Sequence, residues 1–269
     1  MSKTISIAGL GWLGQPFAQR LMTLGYRVKG SVTSLKKASS FQNRGFNAFP
    51  LELSEQGISG EPKAFLKDVT ILVCMIPPGL RRNTGADHVA KMKHFLGAIE
   101  ASSVKKLVLV SSTSVYSDSQ GHVFETNVPK PNSNAGLQLL EVEQLFFNAP
   151  SFKTTLVRFG GLYGGSREPV KYLAGRTELN GGAAPVNLIH RDDAIGILSE
   201  IIKQDAFGHI FNAVSPQHPL KKEYYTHRAK ELQLEPPNFS EEIENRTYKK
   251  VDSKNLDLVL GYSFIHALN

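Results

Sequence analysis

Gly9-Leu10-Gly11-Trp12-Leu13-Gly14 is a G-x-G-x-x-G, a spacing that lets a diphosphate lie against main-chain N–H groups. In such a turn Gly9 makes the tight bend and Gly11 lets a pyrophosphate approach the backbone. Gly14 lets the following helix pack closely on the preceding strand. The flanks supply that context. Thr4-Ile5-Ser6-Ile7-Ala8 alternates and is β-branched, so it reads as a strand, and Leu13, Phe17 and Leu21 recur at four-residue spacing, which reads as a helix. Free N–H groups and the positive dipole end of that helix would hold the phosphates. The plainer reading is a glycine-rich β-α turn that holds nothing; strand, turn and helix in this order favour a dinucleotide.

A turn of this kind needs a parallel sheet to carry it. Strand patterns occur at 4–8, 26–32, 46–51, 70–76, 106–112, 154–158 and 208–213, and helical patterns at 13–24, 87–102, 136–148, 192–203 and 222–233. Val89, Met92, Leu96 and Ile99 form one apolar stripe, and Ile195, Leu198 and Ile202 another. Alternating strands and helices predict an α/β fold, a Rossmann-type doubly wound parallel sheet, with ligands beyond the carboxyl ends of the strands. Those ends are Gly9–Gly14, Ser31–Ser34, Ile76–Gly79, Ser111–Ser114 and Phe159–Gly161, most of them small or turn-forming. The glycine pairs after residue 159 and Pro236-Pro237 break the pattern. They predict a smaller, interleaved C-terminal substrate lobe: 1–165 and 184–214 would bind the dinucleotide, and 166–183 with 215–269 the substrate.

Composition narrows the function classes. The 269 residues are 41% hydrophobic, enough for a sizeable core. No apolar run approaches the roughly eighteen residues of a membrane span, and the N-terminus does not read as a signal peptide. The single Cys74 lies in an apolar strand run and reads as a buried residue in a reducing, cytoplasmic setting. The net charge of +7 is dispersed in pairs such as Lys36-Lys37 and Arg81-Arg82, without a basic block or stripe. That pattern suits a polar or anionic small-molecule substrate better than nucleic acid. Scattered histidines and one cysteine predict no metal site.

Several further segments, in order, resemble the extended short-chain dehydrogenase/reductase superfamily of the NAD-dependent epimerase/dehydratase type. Leu107–Val110 followed by Ser111-Ser112-Thr113-Ser114-Val115-Tyr116 is similar to its strand ending in a Ser/Thr-rich run and Val-Tyr. Glu125, Pro129 and Pro131 resemble the region that follows. Leu156–Gly164 resembles the Leu-x-Arg-x-x-x-x-Tyr-Gly segment beside the nicotinamide, Asn187–Asp193 the Ile-His-x-x-Asp motif, and Phe211-Asn212-Ala213 a Tyr-Asn-Val strand. Two departures stand out. Ala8 replaces a glycine, and the catalytic Tyr and Lys positions, counted back from Glu143, hold Ala135 and Leu139. Neither side chain can move a proton or lower the pKa of a phenol. The chain is therefore similar to an atypical branch of the superfamily.

The resemblance places Val32 at the position where NAD-binding members carry a carboxylate for the ribose. No carboxylate occurs from Val28 to Lys37, whereas Ser31, Thr33 and Ser34, with Lys36 or Lys37, suit a 2′-phosphate. NADP is thus expected in preference to NAD, although these residues would also serve as ordinary caps and surface. Met75, Ile76 and Pro77 are expected along the adenosine, and Ser111, Arg158, Phe159 and Gly160 near the nicotinamide. Trp12 and Leu13 complete the phosphate turn. Ser112, Tyr163 and His190 are the candidate catalytic groups, each with a structural role as the alternative. Members of the superfamily often pair through helices like 87–102 and 136–148, which implies a homodimer.

Three functions compete. The first is an NADP(H)-dependent oxidoreductase or epimerase/dehydratase-like enzyme acting on a small polar, nucleotide-sugar-like substrate. The second is a dinucleotide-binding sensor or scaffold without turnover. The third, a β-hydroxyacid-dehydrogenase-like protein, would need an all-helical C-terminal half, against which the glycine loops and the strand pattern at 208–213 argue.

Overall fold

The computed structural model describes residues 3–79, 85, 87–240 and 247–268; the Arg81-Arg82 pair lies outside the described residues. The chain runs β1 (Thr4–Ala8), α1 (Gly14–Thr23), β2 (Arg27–Val32), α2 (Leu35–Gln42), β3 (Asn47–Ser54), β4 (Gly57–Gly60), α3 (Pro62–Leu66), β5 (Ile71–Cys74), α4 (His88–Glu100) and β6 (Lys106–Ser112). It continues through β7 (Gly121–Val123), α5 (Asn134–Phe147), β8 (Lys153–Phe159), β9 (Gly161–Tyr163), β10 (Leu188–His190), α6 (Arg191–Lys203), β11 (Ile210–Ala213), α7 (Lys221–Glu231), β12 (Lys249–Val251) and α8 (Asn255–Leu258).

Eight strands form one sheet in the order β11-β8-β6-β5-β1-β2-β3-β4. All its pairings are parallel except β3 with β4, a hairpin at one edge. Strand order reverses between β1 and β5, which opens a crevice beyond their carboxyl ends. The strands are apolar on both faces because both faces are covered. Ile5, Ile7, Ile71, Val73 and Val108 point into one core with Phe17 and Leu21 of α1 and Ile197 and Ile201 of α6. Their neighbours Leu72, Cys74, Leu107 and Leu109 point into the other, with Met92 and Phe95 of α4 and Val142 and Phe146 of α5. Among the described residues no helix is long and apolar enough to cross a membrane.

Two small parallel sheets, β9 with β10 and β7 with β12, connect the later segments to the main sheet. Leu256 and Leu260, near the end of the chain, pack into the core that holds α1 and α6. The last segment is therefore split. β12 closes over the loop after β6, while α8 lies against β11 in the main body.

Candidate cofactor and substrate sites

The glycine turn follows β1 at the strand-order reversal. Gly9 has φ +113°, and its N–H donates to the Ser31 hydroxyl at the end of β2 (3.1 Å). The Met75 N–H donates to the Ala8 carbonyl (2.9 Å), so the ends of β1, β2 and β5 are tied together. A β-carbon on Gly14 would lie 2.0 Å from the Gly9 carbonyl oxygen, whereas one on Gly11 would have no atom within 4 Å. Gly14 thus seats the helix, and Gly11 leaves the backbone approachable. No side chain caps α1, as none caps α3, α7 or α8, and the start of α1 faces this space.

Together these residues line a cavity of about 600 Å³, with Ser31, Val32, Thr33 and Lys37 on one side and Met75 to Pro78 on another. Ser111, Ser112, Leu139, Leu162 and Arg167 also line it. Its walls carry two cations, Lys37 and Arg167, and among the described residues no carboxylate. The Ser111 hydroxyl is buried without a hydrogen-bond partner in the protein. An unpartnered buried hydroxyl, an open Gly11 and an excess of positive charge fit a polar anionic ligand in this space.

The β2 end is more specific than its sequence. Ser34 caps α2, accepting from the Lys37 N–H (3.4 Å), and Lys37 donates its ammonium to Thr33 Oγ1 (3.1 Å). Lys37 and Thr33 line the cavity; Lys36 and Ser34 do not. Ser31 lines it too, with its hydroxyl oxygen already accepting from Gly9.

On the β6 side, the Ser112 hydroxyl accepts from the Ser114 N–H (3.2 Å), which leaves its own proton to donate. The next residue, Thr113, lines a second cavity of about 910 Å³. Lys221, Lys249 and Lys250 bring cations to that cavity, and Asn180, Asn187 and Tyr225 bring polar groups. Lys249 fixes the junction by donating to the Thr113 and Tyr116 carbonyls (3.2 and 2.7 Å) and pairing with Asp118 at 3.1 Å. Nothing in the local sequence marks Lys249 for this role, since it arrives from β12 across a pairing of three residues.

Several expected residues lie elsewhere. Arg158 is buried and lines neither cavity. It donates to both Glu143 oxygens (2.7–3.2 Å) and to the Tyr116 hydroxyl (2.6 Å). Phe159 is core, and Gly160 packs so tightly that a β-carbon would meet the Asn187 carbonyl at 2.7 Å. Tyr163 and His190 line a separate cavity of about 240 Å³ with Tyr224, Arg228, Glu231 and His266. Burial, with Asp193 adding, pushes the Tyr163 phenol up to about 12. Burial and the stacked His266 ring hold His190 below the usual imidazole range, and its Nδ1 accepts from the Asp192 N–H. His190, Asp192 and His266 could offer ligand atoms within 4.8 Å of one another. They gather at the N-terminus of α6, where Arg191 pairs with Asp192 at 3.8 Å and Asp193 adds a second carboxylate to the first turn. Cys74 is buried, and burial pushes its thiol up to about 12, which leaves it inert as a nucleophile.

No family model matches the chain. Over 265 residues, 97% of this chain and 96% of the relative, it is 31% identical to Protein YeeZ of Escherichia coli K12. Among solved structures it is similar to a functionally unknown conserved protein from Silicibacter pomeroyi (TM-score 0.77, 20% identity, covering 100% of this chain and 95% of that one). It is also similar to UDP-glucuronic acid 4-epimerase from Bacillus cereus, solved in complex with NAD (TM-score 0.79, 18% identity, 98% and 93% covered). The chain shares its fold with the UDP-glucuronic acid 4-epimerase and belongs to the family of Protein YeeZ.

Proposed function

We propose that this protein binds NADP(H) on the Gly9–Gly14 turn and acts as an oxidoreductase or epimerase/dehydratase-like enzyme. Its substrate is a small, polar, anionic molecule of nucleotide-sugar type, held in the second cavity. One observation carries this reading: the glycine turn and the ends of β2, β5 and β6 line a single cavity in which no described residue is a carboxylate. The NAD-bound Bacillus cereus epimerase, similar in fold, supports a nicotinamide cofactor. Val32 in place of an acid, with Lys37 and Thr33 alongside, supports the 2′-phosphorylated form.

When bound, the cofactor supplies hydride exchange. The protein's residues hold and orient. Gly11 admits the phosphates, and Met75 to Pro78 give the adenosine an apolar, rigid wall. Ser112, its oxygen occupied by the Ser114 N–H, donates its proton to a carbonyl or hydroxyl at the junction of the two cavities. Lys221 and Lys250 attract the anionic part of the substrate. Residues 166–183 and the segment from 215 through β12 supply the substrate side, and α4 with α5, which exposes Leu137 and Phe147, pairs with a second copy.

A second reading, a sensor that binds the dinucleotide without turnover, is favoured by Leu139. This apolar residue lines the cavity where the resemblance places a lysine, and neither Tyr163 nor His190 lines it. Calorimetric titration with NADPH and NADH, followed by a screen of nucleotide keto-sugars for NADPH oxidation, separates the two. Oxidation lost in Ser112→Ala supports the enzyme. Tight binding with no oxidation across the screen supports the sensor.

A further inference from the structure

Arg167 belongs to no expected motif, yet it lines the same cavity as the glycine turn. Its guanidinium carbon stands 4.3 Å from the centre of the Trp12 ring, inside Gly9–Gly14. Arg191, at the start of α6, stands 5.3 Å from the same ring.

The loop that carries Arg167 is held in place. Gly164 and Arg167 exchange backbone hydrogen bonds (2.8 and 3.1 Å), closing a four-residue turn with Gly164 and Gly165 at φ +99° and +58°. A β-carbon on Gly164 would meet His190 Nε2 at 2.2 Å, and one on Gly165 would meet the Arg191 guanidinium at 2.5 Å. The turn therefore sits against the N-terminus of α6 with no room for side chains, and it delivers Arg167 over Trp12 of the glycine turn. The indole face supports the guanidinium at 4.3 Å, and a guanidinium over an aromatic face can bind anions through its N–H donors.

We infer that Arg167, stacked on Trp12, is the clamp for the pyrophosphate of the bound dinucleotide, a role distinct from that of Lys37 at the 2′-phosphate. The inference rests on the dinucleotide reading above. The loop after β9 then closes on the phosphates from the side opposite the glycine backbone. A fork of N–H donors suits a diphosphate, whereas a ribose or a base needs no such charge.

The test titrates NADPH, NADH and adenosine 2′-monophosphate into wild type, Arg167→Gln and Arg167→Lys, each at low and high salt. Melting temperatures confirm that the variants fold. Arg167→Gln should weaken NADPH and NADH alike by about tenfold or more, flatten their salt dependence, and leave adenosine 2′-monophosphate unchanged. Arg167→Lys should fall between, since it keeps the charge but not the stacked fork. If wild type binds the dinucleotides and Arg167→Gln binds them equally well, the clamp is overturned and the dinucleotide reading stands. An equal loss of adenosine 2′-monophosphate would also overturn the clamp, by placing Arg167 elsewhere in the cavity. If wild type binds neither dinucleotide, both readings fall together.

Discussion

Gly14 sits so close to the Gly9 carbonyl that a β-carbon on it would lie 2.0 Å from that oxygen, while Gly11, between them, has open space. The two ends of the turn are thus structural, and its middle leaves the backbone open to the proposed cofactor. Gly14→Ala should displace α1 from β1, costing roughly 1–3 kcal/mol by overpacking and weakening cofactor binding with it. Gly11→Ala should fold with an unchanged melting temperature and still bind NADPH about tenfold more weakly, because the new methyl stands where a phosphate must approach. Urea denaturation beside an NADPH titration separates the two variants.

On the NADP(H) reading proposed above, Lys37 and Val32 would set the preference between cofactors. Lys37→Gln should weaken NADPH by about tenfold and leave NADH unchanged, since only the first carries the extra phosphate. Val32→Asp should move preference toward NADH by adding an acceptor for the ribose and repelling the phosphate. The ratio of the two dissociation constants in each variant is the measurement.

The buried Arg158–Glu143 pair, 2.7 Å apart, joins β8 to α5 and supports Tyr116. Glu143→Gln leaves a guanidinium buried without its counter-charge and should cost about 3–5 kcal/mol in urea denaturation. The ratio of NADPH to NADH affinity should stay at the wild-type value, because Arg158 lines neither cavity.

His88 gives the fold a pH dependence. Burial, with Lys91 adding, pushes its imidazole down to about 4. The folded protein then keeps it neutral where the unfolded chain binds a proton. This contribution is complete above the ordinary imidazole value and is lost as pH falls from about 6.5 toward 4, by at most about 1.4 kcal/mol per pH unit. His88→Gln should flatten the fall in urea midpoint over that range; an unchanged slope would place the titration elsewhere.

Much of this was legible from residues alone. The run from Thr4 to Leu21 carries strand, turn and helix in local pattern, and the bend at Gly9 and the close packing at Gly14 follow from backbone sterics. The sheet was readable because Ile71–Cys74 and Lys106–Ser112 are apolar on both faces. What escaped has physical causes. Strands β9, β10 and β12 are three residues long, too short for any periodicity to register. The β3–β4 hairpin hides behind the glycines that end β4. Lys37 rather than Lys36 lines the cavity because the Ser34 cap fixes where α2 begins. Arg158 looked like a ligand because it ends a strand, but its partner Glu143 lies on a helix fifteen residues earlier. Arg167 and Lys249 reach their sites through tertiary packing, which no local spacing records.

The chain has one tryptophan, Trp12, and it stands in the glycine turn. Titrating NADPH while following tryptophan emission therefore reports directly on the proposed cofactor site. The expected result is saturable quenching with energy transfer to the reduced nicotinamide, at lower concentrations of NADPH than of NADH. Emission unchanged at saturating concentrations of both, in protein that melts cooperatively, would contradict it.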